Sequence, residues 1–268
     1  MCLCCFPEST YRINQWFLNI GTTILLFPAS NLIIQLAKKI GRADKEEQAE
    51  NVLLLDDRML ETPGIALQST FSETLRLGRI VMESLENAKS VLFTQSREGI
   101  QALKEQEDLV DKLSAGISEY AIKISSLRVS DREHQEVAHL LQIISDMERV
   151  SDHCENISEY AETLYEKKAA FSELGAEGIK QMFAVCTDSF QYALEAIEEG
   201  SCEKALRAIE KETQADDLEI SLRTKHIERL ANNQCNTEAG IVFLDAITTL
   251  ERISDHARNI AEEVLKKP

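Results

Sequence analysis

The sequence predicts an all-α protein in which one structural unit occurs twice. The segment MERVSDHCENI at 147–157 recurs as LERISDHARNI at 250–260, an offset of 103 residues. Self-similarity over such a distance indicates a duplicated supersecondary unit. No proline lies between Gly64 and Lys267, so long helices are not interrupted by that residue. These two observations together predict a duplicated helical bundle.

Apolar residues recur at helical spacing in three segments of each half. The predicted helices are about 72–93, 97–126 and 131–168, and then about 180–199, 201–230 and 237–267. Gly175 and Gly178 are expected to separate the halves. Three antiparallel helices can close a core within one half, which favours two tandem three-helix bundles over a two-repeat solenoid.

The domain organisation follows from these segments and from the composition of the first 68 residues. A charged stretch after residue 41 gives way to a more apolar one that ends near Pro63 and Gly64, which is typical of a connector. The predicted parts are an N-terminal segment 1–41, a linker 42–68, a first repeat 69–170 and a second repeat 171–268.

An apolar stretch at 15–37 contains no charged residue and is long enough to cross a bilayer as a helix. Lys38, Lys39 and Arg42 follow it, and a basic flank marks the cytoplasmic side. The protein is therefore predicted to lie in the inner (plasma) membrane, with residues after about 38 in the cytoplasm. Pro28 and several amide side chains favour a helix that packs against other transmembrane helices. A cleaved signal peptide and a buried core helix are the alternatives.

Charge and cysteine content exclude some classes of function. The net charge of −17 and the pI near 4.8 argue against a nucleic-acid partner, because binding to a duplex needs clustered Lys and Arg. An acidic surface instead suits cation binding. Seven cysteines without a second CxxC pair indicate a reducing compartment and no disulfide framework.

Glu-x-x-x-Asp pairs occur twice in each repeat, and residues four apart share one face of a helix. The pairs in the third and sixth predicted helices keep the offset of 103, and those in the second and fifth have an offset of 105. The eight carboxylates are Glu107, Asp111, Glu148, Asp152, Glu212, Asp216, Glu251 and Asp255.

Four such pairs at matched positions favour a metal site, because like charges at this spacing weaken a helix by themselves. Carboxylate oxygens are hard donors that suit Fe, Mn, Mg or Ca. Helical phase places Glu148 and Asp152 beside the apolar stripe of their helix, so a surface or groove site is expected. The alternative is an acidic face that is solvated or salt-bridged, with Arg149 and Arg252 as the natural salt-bridge partners.

The other polar residues of the repeated motif receive supporting roles. His153 and His256 follow the Asp directly and are expected to support or cap the helix rather than bind metal. Asn156 and Asn259 are expected to orient the Asp one turn before them or to make the helix face polar.

With these residues placed, the chain resembles the PhoU family over about 69–267. The resemblance rests on Glu-x-x-x-Asp pairs in tandem three-helix bundles and on the ERxSDHxxNI form in the third helix of each. It implies a role in phosphate homeostasis and multinuclear iron or zinc clusters held by the eight acids. Residues 19–28 (NIGTTILLFP) and 55–66 (LDDRMLETPGIA) look like the end of the membrane domain and the linker of bacterial Na⁺/phosphate cotransporters.

The expected function is a cytoplasmic regulatory domain of a sodium-dependent phosphate cotransporter. One transmembrane helix cannot enclose a midplane substrate site, so the chain is not expected to transport phosphate alone. The alternative is a membrane-tethered signalling adaptor that represses phosphate uptake. Expected partners are the membrane, a transporter membrane domain or phosphate-signalling proteins, phosphate itself, and a second copy of the chain. An enzyme is not expected, because no nucleophile with a paired base is found.

Overall fold

The computed structural model describes residues 53–232 and 236–266, and all regular structure in this part is helical. The helices are a 3-10 helix (Asp57–Glu61), α1 (Pro63–Thr94), α2 (Arg97–Ser125), α3 (Asp131–Lys167), α4 (Glu173–Glu199), α5 (Cys202–Ala231) and α6 (Thr237–Leu265). No strand occurs within the described residues. The prediction of an all-α fold is confirmed.

The six long helices of the described part form two three-helix bundles. Helices α1, α2 and α3 pack against one another, and α4, α5 and α6 do the same. Helix α3 packs along α6 and α1 packs against α4, so these two contacts join the bundles. The two helices that carry the repeated motif are therefore neighbours.

Capping residues explain where most helices begin. The side chains of Ser96, Ser172 and Ser201 each accept a hydrogen bond from a backbone N–H three residues later, at the starts of α2, α4 and α5. At the start of α3, Ser130 and Glu133 form a reciprocal capping box. These side chains satisfy N–H groups that have no partner within the helix.

Two helices begin earlier than the sequence pattern indicates. Helix α1 begins at Pro63, inside the stretch predicted as a linker, because proline is well suited to the first position of a helix. Helix α4 begins at Glu173, so Gly175 and Gly178 lie within it and do not separate the halves. A Cβ on Gly178 would lie 2.6 Å from Leu222 Cδ2 of α5. This glycine therefore permits close approach of two helices.

The apolar stripe predicted for the third helix forms the core of the first bundle. Its members are at most 4% exposed, and they are Leu140, Ile143, Met147, Val150, Cys154 and Ile157. Within the described residues, Cys154, Cys186 and Cys202 are free thiols.

The predicted transmembrane segment 15–37 lies outside the described residues. Across 53–232 and 236–266, none of the helices is both long and apolar enough to span a bilayer. The membrane location therefore stays a prediction.

Candidate metal centre

Acidic cluster 1, defined as Glu107, Asp111, Glu148 and Asp152, forms between α2 and α3. One carboxylate oxygen from each of Glu107, Asp111 and Asp152 lies within 4.8 Å of the others. Burial, followed by the charges of Asp111 and Asp152, raises the pKa of Glu148. The structure thus brings together the two helices that the sequence predicted to share a site.

Acidic cluster 2, defined as Glu212, Asp216, Glu251 and Asp255, forms between α5 and α6. Oxygens of Glu212, Asp216 and Asp255 lie within 4.8 Å of one another. The Oδ1 atom of Asp216 is buried and has no hydrogen-bond partner in the described part of the chain. An unpaired buried carboxylate oxygen is unfavourable unless a cation or a donor reaches it. This oxygen fits a metal ligand.

Protons are held unusually tightly in both clusters. Burial, together with neighbouring acids, raises the pKa of Glu107 to about 7 and that of Glu251 to about 7. Burial and nearby carboxylates also raise the pKa of Asp152, Asp216 and Asp255. Because folding raises these pKa values, the metal-free fold loses stability as pH rises from about 4.5 to about 7. A bound cation would remove that repulsion.

Two further acids adjoin the clusters and were not among the eight. Glu155 contributes to the raised pKa of Glu107, and Glu219 contributes to that of Glu251. Glu219 itself accepts hydrogen bonds from Arg223 and Thr248. Each acid lies three residues beyond an Asp of a pair and extends its stripe. Comparison of the repeats could not reveal them, because the equivalent positions are not acidic.

The equivalent of Glu155 in the second repeat is Arg258, at the offset of 103. Arg258 Nη1 donates a hydrogen bond to Glu212 Oε1 at 3.0 Å, and Arg258 Nε donates to Glu262 at 2.9 Å. Glu212 is only 3% exposed. Glu212 thus lies on the buried side of the site that was expected at the surface or in a groove, and an ion pair to Arg258 allows this burial. A cation of the protein already occupies part of acidic cluster 2.

The motif histidines lie where the two repeats meet, between α3 and α6. The ring centroids of His153 and His256 are 5.6 Å apart. The Nδ1 atom of His256 is 2.9 Å from Oδ1 of Asp146, which also accepts a hydrogen bond from Asn259. Burial opposes ionisation of Asp146, but these partners and Gln142 lower its pKa. The histidines thus support the contact between repeats.

The motif asparagines do not have the first of their two predicted roles, orientation of the preceding Asp, and the second, a polar helix face, stays a prediction. Asn259 bonds Asp146 of the other repeat, and Asn156 lies 3.4 Å from Nδ1 of His153. Neither side chain therefore orients the Asp one turn before it. Among the described residues, neither Arg149 nor Arg252 has a carboxylate within ion-pair distance, although both are exposed. These two arginines therefore do not form the salt bridges to the acids that the alternative predicted.

The chain is similar in sequence to proteins whose descriptions concern phosphate transport or export. It is 28% identical over 195 residues to a phosphate-specific transport system accessory protein PhoU homolog of Thermotoga maritima, covering 72% of this chain and 83% of that protein. It is 24% identical over 255 residues to YjbB of Salmonella typhimurium, which is described as a proposed inorganic phosphate export protein. That match covers 94% of this chain but 47% of YjbB, so the chain spans about half of that relative.

The fold also matches a solved structure. The crystal structure of the phosphate transport system regulatory protein PhoU from Streptococcus pneumoniae superposes with a TM-score of 0.69 at 22% identity, covering 76% of this chain and 95% of that one. The PhoU domain itself matches twice, at residues 74–161 and 179–264. These two matches include the acids of both clusters and extend over more than half of the sequence, and the chain therefore belongs to the PhoU domain family.

Proposed function

We propose that this chain is a metal-binding regulatory domain that controls phosphate transport. The observation that carries the proposal is the double PhoU domain match, with one acidic cluster in each matched region. The Thermotoga and Streptococcus relatives are described as accessory and regulatory proteins of phosphate transport systems. A regulatory role agrees with sites that offer carboxylates rather than a nucleophile paired with a base.

The donor set supports metal binding by the two clusters. The proposed ligands are the eight predicted acids, joined by Glu155 in cluster 1 and Glu219 in cluster 2. Iron or zinc follows from the resemblance to the family, and the oxygen donors equally suit Mn, Mg or Ca. A bound cation would neutralise the repulsion between α2 and α3 and between α5 and α6. Metal would thereby stabilise each bundle where its acids meet.

The membrane context is proposed from the alignment to YjbB. Because 255 residues are aligned and 94% of this chain is covered, the match includes most of residues 1–52. That part contains the apolar stretch 15–37 with its basic flank. We infer that the bundles are the cytoplasmic domain of a phosphate transporter, of the sodium-dependent class that residues 19–28 and 55–66 resemble. Transport itself would require membrane segments beyond the one predicted here.

Metal binding is expected to depend on Asp111 and Asp216. Besides burial, the charge of Asp111 raises the pKa of both Glu148 and Asp152. Asp216 likewise raises the pKa of Glu251 and has a buried oxygen with no hydrogen-bond partner among the described residues. The double variant Asp111→Asn/Asp216→Asn should lose most of the bound metal, measured by elemental analysis of the full chain purified with Fe²⁺, Mn²⁺ or Zn²⁺. Protons compete with metal at Glu107 and Glu251. For each of these two carboxyl groups that binds the metal, the metal affinity should therefore be roughly tenfold weaker at pH 6 than at pH 8.

A matched control is offered by Glu105 and Glu210, which are exposed and lie two residues before the first acid of each cluster. Two residues are about 200° of helical rotation, so these side chains point away from the clusters. The variant Glu105→Gln/Glu210→Gln removes the same charge and should keep its metal. Equal metal content in all three proteins, or none in the unmodified chain, would contradict the metal assignment.

Phosphate flux and location test the regulatory role. Bacterial cells expressing the full chain are expected to accumulate less radiolabelled phosphate, and Asp111→Asn/Asp216→Asn should remove this effect. Fractionation of the same cells separates two forms of the proposal. Recovery with the membranes supports the transporter domain, whereas recovery in the soluble fraction supports an adaptor like the accessory relatives. Unchanged accumulation with well-expressed protein would contradict both.

A further inference from the structure

The two copies of the repeated motif meet on facing sides of α3 and α6. Three cross-helix pairs define the contact: His139 with Glu263, Asp146 with His256, and Tyr160 with Thr249. Residue numbers rise along α3 as they fall along α6, so the helices are antiparallel. The copies are offset by 103, and therefore equivalent residues come level with each other near 149–153 of α3 and 252–256 of α6.

Arg149 and Arg252 lie at this level and on these facing sides. Arg149 is three residues after Asp146 and four before His153, spacings that place all three on one stripe of a helix. Arg252 has the same relation to Thr249 and His256. Since the rings of His153 and His256 are 5.6 Å apart, the two arginines and two histidines gather around one local twofold axis. Both arginine side chains are exposed.

These two arginines differ from most others in the molecule. Seven arginines of the described part form an ion pair with a carboxylate, among them Arg58, Arg79 and Arg258. Arg149 and Arg252 have no such partner there, although the chain has 46 acids and 29 basic residues. Each of these arginines lies one helical turn from one histidine of the ring pair formed by His153 and His256.

We propose that Arg149 and Arg252, with His153 and His256 beside them, form a binding site for a tetrahedral oxyanion of the phosphate class. A guanidinium group presents a planar fork that binds two oxygens of a phosphate at once. Two such forks related by a twofold axis can hold one tetrahedral ion from both sides.

The surrounding acids limit the affinity of this site without filling it. Asp146 is the nearest carboxylate on the same stripe, and its oxygens already accept hydrogen bonds from His256, Asn259 and Gln142. Glu148, Asp152, Glu251 and Asp255 flank the arginines along the chain but form no ion pair with them in the described structure. Their negative charge opposes an anion, so we expect binding in the micromolar to millimolar range.

Equilibrium dialysis of the full, metal-free chain with radiolabelled inorganic phosphate tests the site at constant, low ionic strength. Saturable binding is expected in the unmodified protein and at least tenfold weaker binding in Arg149→Gln/Arg252→Gln. The control Arg128→Gln/Arg132→Gln removes two charges, one about 25 Å along α3 from Arg149 and one before that helix begins, and should change binding less than twofold. Absence of saturable binding up to ~10 mM phosphate, or equal weakening in the control, would overturn the proposal.

Competition identifies the source of the phosphate group. Tighter competition by inorganic phosphate than by glycerol 3-phosphate assigns the site to the free ion, and the reverse assigns it to a phosphate group on a larger molecule. The result is separate from metal binding, because Asp111→Asn/Asp216→Asn leaves both arginines in place.

Discussion

The substitution Arg258→Glu is expected to raise the affinity of acidic cluster 2 for Mn²⁺ by about tenfold or more. Arg258 donates a hydrogen bond to Glu212 at 3.0 Å, so its positive charge competes with a metal ion for that carboxylate. Glutamate at this position both removes the competing cation and adds an acid. It also recreates the residue type that the first repeat has at the equivalent position, Glu155.

The reciprocal substitution Glu155→Arg is expected to weaken acidic cluster 1 by a similar factor. Glu155 already raises the pKa of Glu107 by its charge, which shows that a charge at this position acts on the cluster. Arginine there would act as an internal counter-ion, as Arg258 does in the second repeat. If Arg258→Glu raises the metal affinity of cluster 2 and Glu155→Arg lowers that of cluster 1, this one position accounts for the difference in affinity between the clusters.

The metal affinity of each cluster can be measured separately when a substitution removes metal binding by the other cluster. In an Asp111→Asn background the remaining Mn²⁺ binding reports cluster 2, and in an Asp216→Asn background it reports cluster 1. Calorimetric titration of the full chain gives the affinities, and circular dichroism verifies that each variant is folded. The control Arg207→Glu makes the same charge change on the exposed surface of α5 and should have little effect. An unchanged or reduced affinity in Arg258→Glu would contradict the counter-ion role.

The substitution Phe243→Ala is expected to lower the free energy of unfolding by about 3–5 kcal/mol. Phe243 of α6 is 1% exposed. Its ring stacks on His226 of α5, with centroids 4.6 Å apart, and meets Phe171 edge-to-face at 6.4 Å. Arg229 also lies over the ring, at 5.7 Å. Alanine would leave a cavity in the second bundle where these side chains converge.

Ile241, two residues earlier on the same helix, provides the control because it is 59% exposed. Ile241→Ala should change the free energy of unfolding by no more than about 0.5 kcal/mol. Urea denaturation of the full chain followed by circular dichroism measures both values. A difference of less than about 1 kcal/mol between the two variants would show that the ring of Phe243 is not an essential part of the packing.

The helical segments were predictable because the physics that decides them is local. Apolar periodicity and the absence of proline located α2, α3 and α5 to within about two residues. The pattern failed at α1 and α4. Pro63 was taken as a break although it suits a helix start, and Gly178 was taken as a separator although it allows α4 to approach Leu222. A proline or a glycine can either interrupt a helix or belong to one, and only the residues around it in the folded protein decide between the two.

The acidic clusters were predictable to a similar degree. The repeat identified the acids because a duplicated unit keeps the same residues at the same places. It could not identify Glu155 or Glu219, whose equivalents are Arg258 and Ser114. Comparison of the repeats identifies acids that occur in both copies and misses acids that occur in only one.

The sequence by itself determined the all-α class, the doubled unit and the pairing of acids along four helices, because each depends on spacing within one helix or on the offset between copies. Tertiary structure decided which helices meet. The packing of α3 on α6 brought His153 and His256 together between the repeats, with Arg149 and Arg252 beside them and no carboxylate paired to either arginine within the described residues. The packing of α5 on α6 allowed Arg258 to pair with the buried Glu212. Distances between side chains on different helices depend on how the helices pack, and no periodicity within one helix contains that information.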